Sequence, residues 1–580
     1  MKKVLLGLLA VIVLAVGFIL FYFKSDTSNP YHEASNASWG KFGNITKDNS
    51  PHAEFGKDMP KCDYSVPESE IPTFKDVNFN STNIFDNKKN LPWLGSAMID
   101  IDNDGVDEVF IAGGVTQEDA LWKYVDGEFK NISSEAGLPK KPANTTTLGA
   151  VSFDLDNNGK NDLILNGDYG VLWYKNMGDN KFEVTKIEVP LNEKSQANAL
   201  TFGDVNHDGH ADMFVSAYIK IEKMEGQTIF KDANYGASSL LMMNNGDNTF
   251  RDATEEMGLT YIHNTFNAVF VDVDNDGFLD LVVAHDTGEP RTYKNNNGTS
   301  FTMKANPLTG KYSYPMGIAV GDYNNDGNID FFFSNTGTSA PTFLAKGDLG
   351  DDDEFIQKWI LFKNNGDFNF QDVAEETKVA DFEFSWGAIF EDFNLDGRQD
   401  LVVAENYVDF PPHKLFPLPC RFLIQREDGT FAAVEDQANM INKKFAITPL
   451  SSDFNQDGYP DIIYANIAGP IKASINKGGD ANFISVRLPE TAKYVGSHVT
   501  VNKTDGSKLS DAYVIGEGLV SDQTATLTFG LGTQKSITSL EVRLPNGEKH
   551  LIENPEVNKL HLLSFEEASQ EDATEEEAAL

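Results

Sequence analysis

Seven short segments of this 580-residue chain repeat one arrangement of oxygen-bearing side chains. They are DIDNDGVDE from Asp100, DLDNNGKND from Asp154, DVNHDGHAD from Asp204, DVDNDGFLD from Asp272, DYNNDGNID from Asp322, DFNLDGRQD from Asp392 and DFNQDGYPD from Asp453. Each fits D-x-[DN]-x-[DN]-G-x-x-[DE], and successive starts are 54, 50, 68, 50, 70 and 61 residues apart. The chemistry of that spacing is oxygen coordination of a hard cation. As the chain curls, side chains at positions 1, 3 and 5 converge and glycine at position 6 permits the sharp turn. The carbonyl at 7 points inward and the carboxylate at 9 closes the shell. Calcium takes about 6–8 oxygens at about 2.3–2.6 Å, whereas magnesium demands octahedral geometry and keeps its water. One such match is weak, because Asp, Asn and Gly populate ordinary turns; seven in one chain argue against a turn-only origin.

The expected Ca²⁺ ligands, with position 7 acting through its backbone carbonyl, follow loop by loop. Loop 1 offers Asp100, Asp102, Asp104, Val106 and Glu108; loop 2 offers Asp154, Asp156, Asn158, Lys160 and Asp162; loop 3 offers Asp204, Asn206, Asp208, His210 and Asp212. Loop 4 offers Asp272, Asp274, Asp276, Phe278 and Asp280, and loop 5 Asp322, Asn324, Asp326, Asn328 and Asp330. Loop 6 offers Asp392, Asn394, Asp396, Arg398 and Asp400, and loop 7 Asp453, Asn455, Asp457, Tyr459 and Asp461. Asn158 at position 5 and Glu108 at position 9 depart from the commoner Asp, so loops 1 and 2 are expected to bind more weakly or differently. An EF-hand does not fit: it needs a bidentate Glu at position 12 between two helices, and position 12 is Ile111 in loop 1 and Val283 in loop 4.

The elements that must position these loops read as strands. AVSF, ALTF and AVFV precede loops 2, 3 and 4, and DLIL, DMFV and DLVVA close and follow them. Short β-branched and aromatic runs joined through a tight loop are hairpins. A second turn recurs between the loops, as in NMGDNKF (176–182), NNGDNTFRDAT (244–254) and NNGDFNFQDVA (364–374), and joins a third strand to a fourth. One repeat is therefore four antiparallel strands, and seven of them over residues 73–480 suit an all-β, seven-bladed β-propeller, which handles sheet edges by radial closure. The last repeat lacks its fourth strand, and FKDVNF (74–79) matches the missing FRDATE and FQDVAE. Phe74–Phe79 is thus expected to close the last blade. Cys62, just upstream, and Cys420, at the start of the third strand of blade six, are the two cysteines and are candidates for a disulfide bridge.

Residues 4–23 are an unbroken apolar run after Lys2 and Lys3, long enough at about 1.5 Å per residue to span a bilayer. Segment 1–24 reads as an uncleaved anchor in preference to a cleaved signal peptide, which places the rest of the chain outside the cytoplasm: membrane-anchored and facing the periplasm or extracellular space, or secreted if the segment is cleaved. Residues 25–72 form a polar tether, 481–565 a separate small β domain, and 566–580 an acidic tail with seven acids and no base. The net charge of −41 argues against nucleic acid and anionic membrane surfaces as partners. Of that charge, 23 carboxylates sit at positions 1, 3, 5 and 9 of the loops and seven in the tail.

The loops with their apolar flanks resemble the FG-GAP/VCBS repeats of integrin-α-type propellers. GSHVTV, FGLG and SLEVRLPNG resemble the ASPIC/UnbV domain that follows such repeats in the cartilage acidic protein family. The resemblance covers roughly residues 74–563 and implies an exported calcium-binding propeller.

The leading functional expectation is a cell-surface binding or adhesion module for a protein or glycan. Its contact face would be built from the long loops opposite the cation loops, with Phe230, Tyr235, Phe343, Phe410 and Phe416. The alternatives are a calcium-dependent lyase or hydrolase acting on acidic polysaccharide, and a structural spacer. No G-x-S-x-G, H-E-x-x-H or Cys-His constellation marks a catalytic centre. His263, His285 and His413 read as solvated surface residues, and His207 and His210 as incidental to loop 3.

Overall fold

The computed structural model describes residues 66–85, 92–223, 236–337, 349–350, 352–380, 382–405 and 419–563. The N-terminal apolar segment, Cys62, the acidic tail, His413 and the five aromatic residues of the expected contact face lie outside the described residues. No helix among the described residues is long and apolar enough to cross a membrane.

The fold is all-β and β-propeller-like, made of repeated four-stranded antiparallel sheets in strand order 1-2-3-4. The sheet carrying loop 4 is typical: Thr265–Val271, Asp280–His285, Arg291–Asn295 and Phe301–Lys304. Each first strand is buried end to end or nearly so, as in TFNAVFV and TLGAVSF, because its two faces pack against the adjoining sheets. First strands of successive sheets touch in turn, and that of the loop 7 sheet, Phe445–Ser452, touches that of the loop 1 sheet, Ser96–Ile99.

Phe74–Phe79 pairs antiparallel with Lys472–Asn476, so an N-terminal segment supplies the outer strand of the loop 7 sheet. Its end also pairs in parallel with Glu128–Asn131 of the loop 1 sheet, Phe79 standing opposite Phe129. Phe74 is fully buried, edge-on to Phe393 at 6.1 Å and to Phe422 at 5.4 Å. Cys420 is buried as well; its thiol takes an Asn442 amide contact at 3.5 Å, and burial pushes its pKa up to about 12.

The C-terminal module consists of a three-stranded sheet around Asn482–Arg487 and a four-stranded sheet around His498–Lys503 and Ile537–Arg543. The module, expected as a separate small β domain, has its own sheets and packs closely on the rest: it sits on the cation-loop side, and residues 515–523 (IGEGLVSDQ) thread between the first strands. Thr201 donates to the Ile515 carbonyl at 2.7 Å, and Asn267 to those of Gly516 and Gly518 at 2.9 and 3.1 Å. Ile318 exchanges backbone hydrogen bonds with Gly518, and Ser521–Asp522 pairs in parallel with Ser96–Ala97. Gly516 and Gly518 have φ of +90° and +91°, a region that side chains other than glycine avoid. A Cβ on Gly516 would meet the Leu200 carbonyl at 2.7 Å.

Candidate cation loops and their surroundings

Each loop joins the first and second strands of its sheet, and its geometry is built by the backbone before any cation is considered. In loop 5 the position 1 carboxylate of Asp322 accepts the Asp326 N–H at 2.9 Å and the Gly327 N–H at 2.8 Å. Loops 1, 2, 3, 6 and 7 repeat this pair of bonds, as at Asp100 and Asp453. Position 4 is left-handed throughout, with φ between 56° and 61° at Asn103, Asn157, His207, Asn275, Asn325, Leu395 and Gln456. The position 6 glycines lie at φ 80° to 96°. Left-handed residues at positions 4 and 6, either side of position 5, curl the chain so that positions 1, 3 and 5 turn toward one point, as a cation needs.

The position 9 acid lies deepest. In loop 4, Asp280 accepts the Val273 N–H at 2.9 Å on one oxygen and the Asn295 N–H at 2.7 Å on the other. Asp212, Asp400 and Asp461 do the same in their loops. Burial raises these carboxyls, Asp162 to about 7 and Asp212 to about 8. Position 1 is raised by burial too, Asp322 and Asp453 to about 6 each. A bound divalent cation would supply the positive charge that such desolvated acids lack.

Ligand atoms converge within 4.8 Å of one another in three loops: Asp100, Asp102 and Glu108; Asp154, Asp156 and Asp162; and Asp272, Asp274 and Asp276. Oδ1 of Asp156, Asp272 and Asp274 is buried with no hydrogen-bond partner. These orphaned oxygens fit a hard cation, for which carboxylate oxygen is the preferred donor. In loops 3, 6 and 7 position 3 is Asn, and its amide donates to the position 5 carboxylate: Asn206 to Asp208, Asn394 to Asp396 and Asn455 to Asp457, at 2.9, 3.0 and 2.8 Å.

The sequence reading missed three sets of residues around the loops. The first is an amide near the end of the third strand in six sheets, Asn176, Asn244, Asn295, Asn364, Gln425 and Asn476; the loop 1 sheet carries Tyr124 at that place. Asn295 donates to the carbonyl of Leu279 in its own loop and to that of Val205 in loop 3, at 3.0 and 2.8 Å. Asn176, Asn364 and Asn476 likewise bridge to the preceding loop, at the carbonyls of Ile101, Val273 and Phe393. Asn176, Asn295 and Asn364 were visible at the heads of the NMG, NNNG and NNG turns, where they read only as turn formers; Asn476, in NKG, was not singled out. The second set comes from the C-terminal module: Arg543 donates to Asp272 of loop 4 at 2.9 Å, and buried Arg487 pairs with Asp107 at 2.9 Å and lies 3.7 Å from Asp100. No spacing in the sequence links those pairs. The third set is Lys123, Lys175 and Lys294, each paired with a position 3 carboxylate.

His263 and His285 are corrected from surface to buried residues; burial lowers His263 to about 4 and His285 well below the usual range. They lie with Tyr261 and Arg291 on the loop 4 sheet, at the end away from the cation loop. His207 stacks on Phe278 of loop 4 at 4.2 Å, so it packs two loops together.

Models of known families match this arrangement directly. The FG-GAP-like repeat matches residues 100–165, 154–215, 233–283 and 272–333, and ASPIC and UnbV matches residues 489–572. The chain thus carries FG-GAP-like repeats and an ASPIC/UnbV domain. Loops 6 and 7 lie beyond the matched repeats, yet they share the position 1 bonds and left-handed turn of the rest. Cartilage acidic protein 1 of Xenopus tropicalis is 22% identical over 436 residues, covering 68% of this chain and 62% of that one. The human protein of the same name is 24% identical over 348 residues, covering 56% and 49%. The chain thus spans about half to three-fifths of the length of these relatives. Among solved structures, an Agrocybe aegerita lectin recognising non-reducing terminal N-acetylglucosamine aligns over 66% of this chain and 91% of its own, at 19% identity and TM-score 0.34. The exotype rhamnogalacturonan lyase YesX aligns over 69% and 76%, at 12% identity and TM-score 0.37.

Proposed function

We propose that this protein is an exported, calcium-binding, seven-bladed propeller that serves as a surface binding module for a protein or glycan. The observation that carries the cation part is the convergence of buried, unpartnered carboxylate oxygens in loops whose backbone is already turned to receive an ion. The seven-blade count is supported by the seven loops, one to each four-stranded sheet, and by the serial touching of first strands that returns to its start. Export is supported by the apolar run at residues 4–23. The binding role is supported by geometry of access. The C-terminal module and its 515–523 segment occupy the loop side and the space between the first strands, so a partner is left the opposite side. Between the first strands, the Gly516 and Gly518 carbonyls accept from Asn267 and Glu517 accepts from the Val320 N–H, so this segment takes up space that a polysaccharide chain entering there would need.

The test is a glycan and protein-ligand array probed with purified chain in calcium and in chelator. Calcium-dependent retention on a defined ligand class is the expected result. Depolymerisation of uronic-acid glycans by the same preparation would replace the binding reading with the enzymatic one.

A further inference from the structure

The strand register exposes a covariation inside the chain. In every sheet, the residue at position 10 of the loop pairs with a third-strand residue: Val109 with Trp122, Leu163 with Tyr174, Met213 with Met242, Leu281 with Tyr293, Phe331 with Phe362, Leu401 with Leu423 and Ile462 with Ser474. The next third-strand residue then stands beside the loop. It is Lys123, Lys175 and Lys294 for loops 1, 2 and 4, the three loops with Asp at position 3. It is Met243, Ile424 and Ile475 for loops 3, 6 and 7, where position 3 is Asn. Loop 5 is intermediate, with Asn324 and Lys363.

The side chains meet as the register requires. Lys123 Nζ lies 3.2 Å from Asp102, 3.0 Å from Asp104 and 2.6 Å from Glu108. Lys294 bridges Asp274 and Asp276, the latter at 2.7 Å, and Lys175 pairs with Asp156. Lys363 stands off at 3.6 Å from Asp326. In loops 3 and 7 the described residues place no Lys or Arg on the acids, and the position 3 amide donates to position 5 instead. The like-charge problem of stacked carboxylates thus has two solutions in one molecule, an ammonium group or an amide.

We propose that Lys123, Lys175 and Lys294 are resident counter-ions that set loops 1, 2 and 4 apart from loops 3 and 7; loop 5, with Lys363 standing off, and loop 6, where Arg398 pairs with Asp396 beside the Asn394 amide, fall between. Loops 1, 2 and 4 are neutralised by the chain itself and admit a divalent cation only by expelling the ammonium group from the position 3 carboxylate, which in loops 1 and 4 it shares with position 5. Loops 3 and 7 have nothing to expel and fill first. The side chains are suited to the exchange: each lysine is about a quarter exposed, at 23–25%, so it has an exit to solvent. The lysines set which loops depend on the ion and which keep their shape without it. This rests on the loops being cation sites, and the experiment separates the two ideas.

Calcium binding is counted by equilibrium dialysis, and melting is followed in chelator and in calcium, for the wild type and the K123M/K175M/K294M variant; methionine is what loop 3 carries at this place. The expected result is a lower melting temperature in chelator, a larger rise on adding calcium, and up to three more ions bound at a given free calcium. A second variant, M243K/N206D, transplants the pair into loop 3 and is expected to bind one ion fewer at low calcium while melting close to wild type in chelator. Calcium bound by the wild type supports the cation reading, and no calcium bound by either the wild type or the triple variant sinks it. The counter-ion proposal is read from the differences: unchanged calcium numbers in both variants would overturn it. If the wild type bound no calcium, gain of binding in the triple variant would still support the proposal and its absence would sink it. Should the triple variant fail to fold, the transplant alone decides.

Discussion

The Asn295 amide ends on two carbonyls in different loops, Val205 and Leu279, and the residue is fully buried. Replacing it with alanine leaves both carbonyls unpaired away from water, at about 1–3 kcal/mol each before relaxation. N295A should therefore lower stability by about 2–4 kcal/mol in urea unfolding, and hydrogen exchange should quicken around loops 3 and 4 together, because one side chain holds both. Equal exchange at loop 3 would show that the bridge is dispensable. A second buried device is Arg421, which pairs with Glu383, Glu405 and Glu435 at 3.0, 3.0 and 2.7 Å, all four side chains fully buried. Removing its charge strands three desolvated acids, so R421M is expected to cost about 3–5 kcal/mol. The sequence could not announce this group: its members span residues 383–435, and each reads alone as an ordinary strand-end charge. The loop residues were legible for the opposite reason, since their spacing is local and chemically specific. The counter-ion lysines fell between, visible as letters but assignable only once the register was known.

At the scale of elements, hairpins were readable because the D-x-[DN]-x-[DN]-G loop and the NNG turn punctuate short apolar runs. The closing strand was readable because FKDVNF copies a motif missing from the last repeat. Phe74 anchors that strand between Phe393 and Phe422. F74A should cost about 3–5 kcal/mol, and limited proteolysis should then cut first near the N-terminal strand. Nothing in IGEGLVSDQ says that it threads between first strands, because its partners are backbone groups scattered over several sheets. That segment carries a pH dependence. Asp522 accepts the Ser152 N–H at 2.8 Å and the Gly516 N–H at 2.9 Å, and burial raises its carboxyl to about 7 against an ordinary value near about 4. With the folded value the higher, its contribution is full below the unfolded value and is lost as pH rises through about 7. In chelator, the melting temperature should fall from pH 5 to pH 8 less steeply in D522N than in the wild type. Parallel slopes would place the acid outside the titrating set.

For the whole molecule the question is where a net charge of −41 goes on folding. The loops gather 23 carboxylates on the side covered by the C-terminal module, where Arg487 and Arg543 reach down to Asp100 and Asp272. Cations in all seven loops would bring the formal charge to −27 and would strengthen each loop and the module's seat together. Binding to the folded chain alone adds about 2.7 kcal/mol per site at a hundredfold excess over Kd, so calcium should raise the melting temperature and slow proteolysis between sheets. General screening is a rival cause, since salt at about 1 M shortens the Debye length to about 3 Å and relieves repulsion without any site. The decisive comparison sets millimolar calcium against chelator with molar potassium chloride. A site-bound ion gives the larger rise at the lower ionic strength, and D276A should trim that rise by one loop's share while leaving the potassium chloride response intact. Coincident curves in calcium and in chelated salt would mean that the acids are merely screened and that the loops hold no ion.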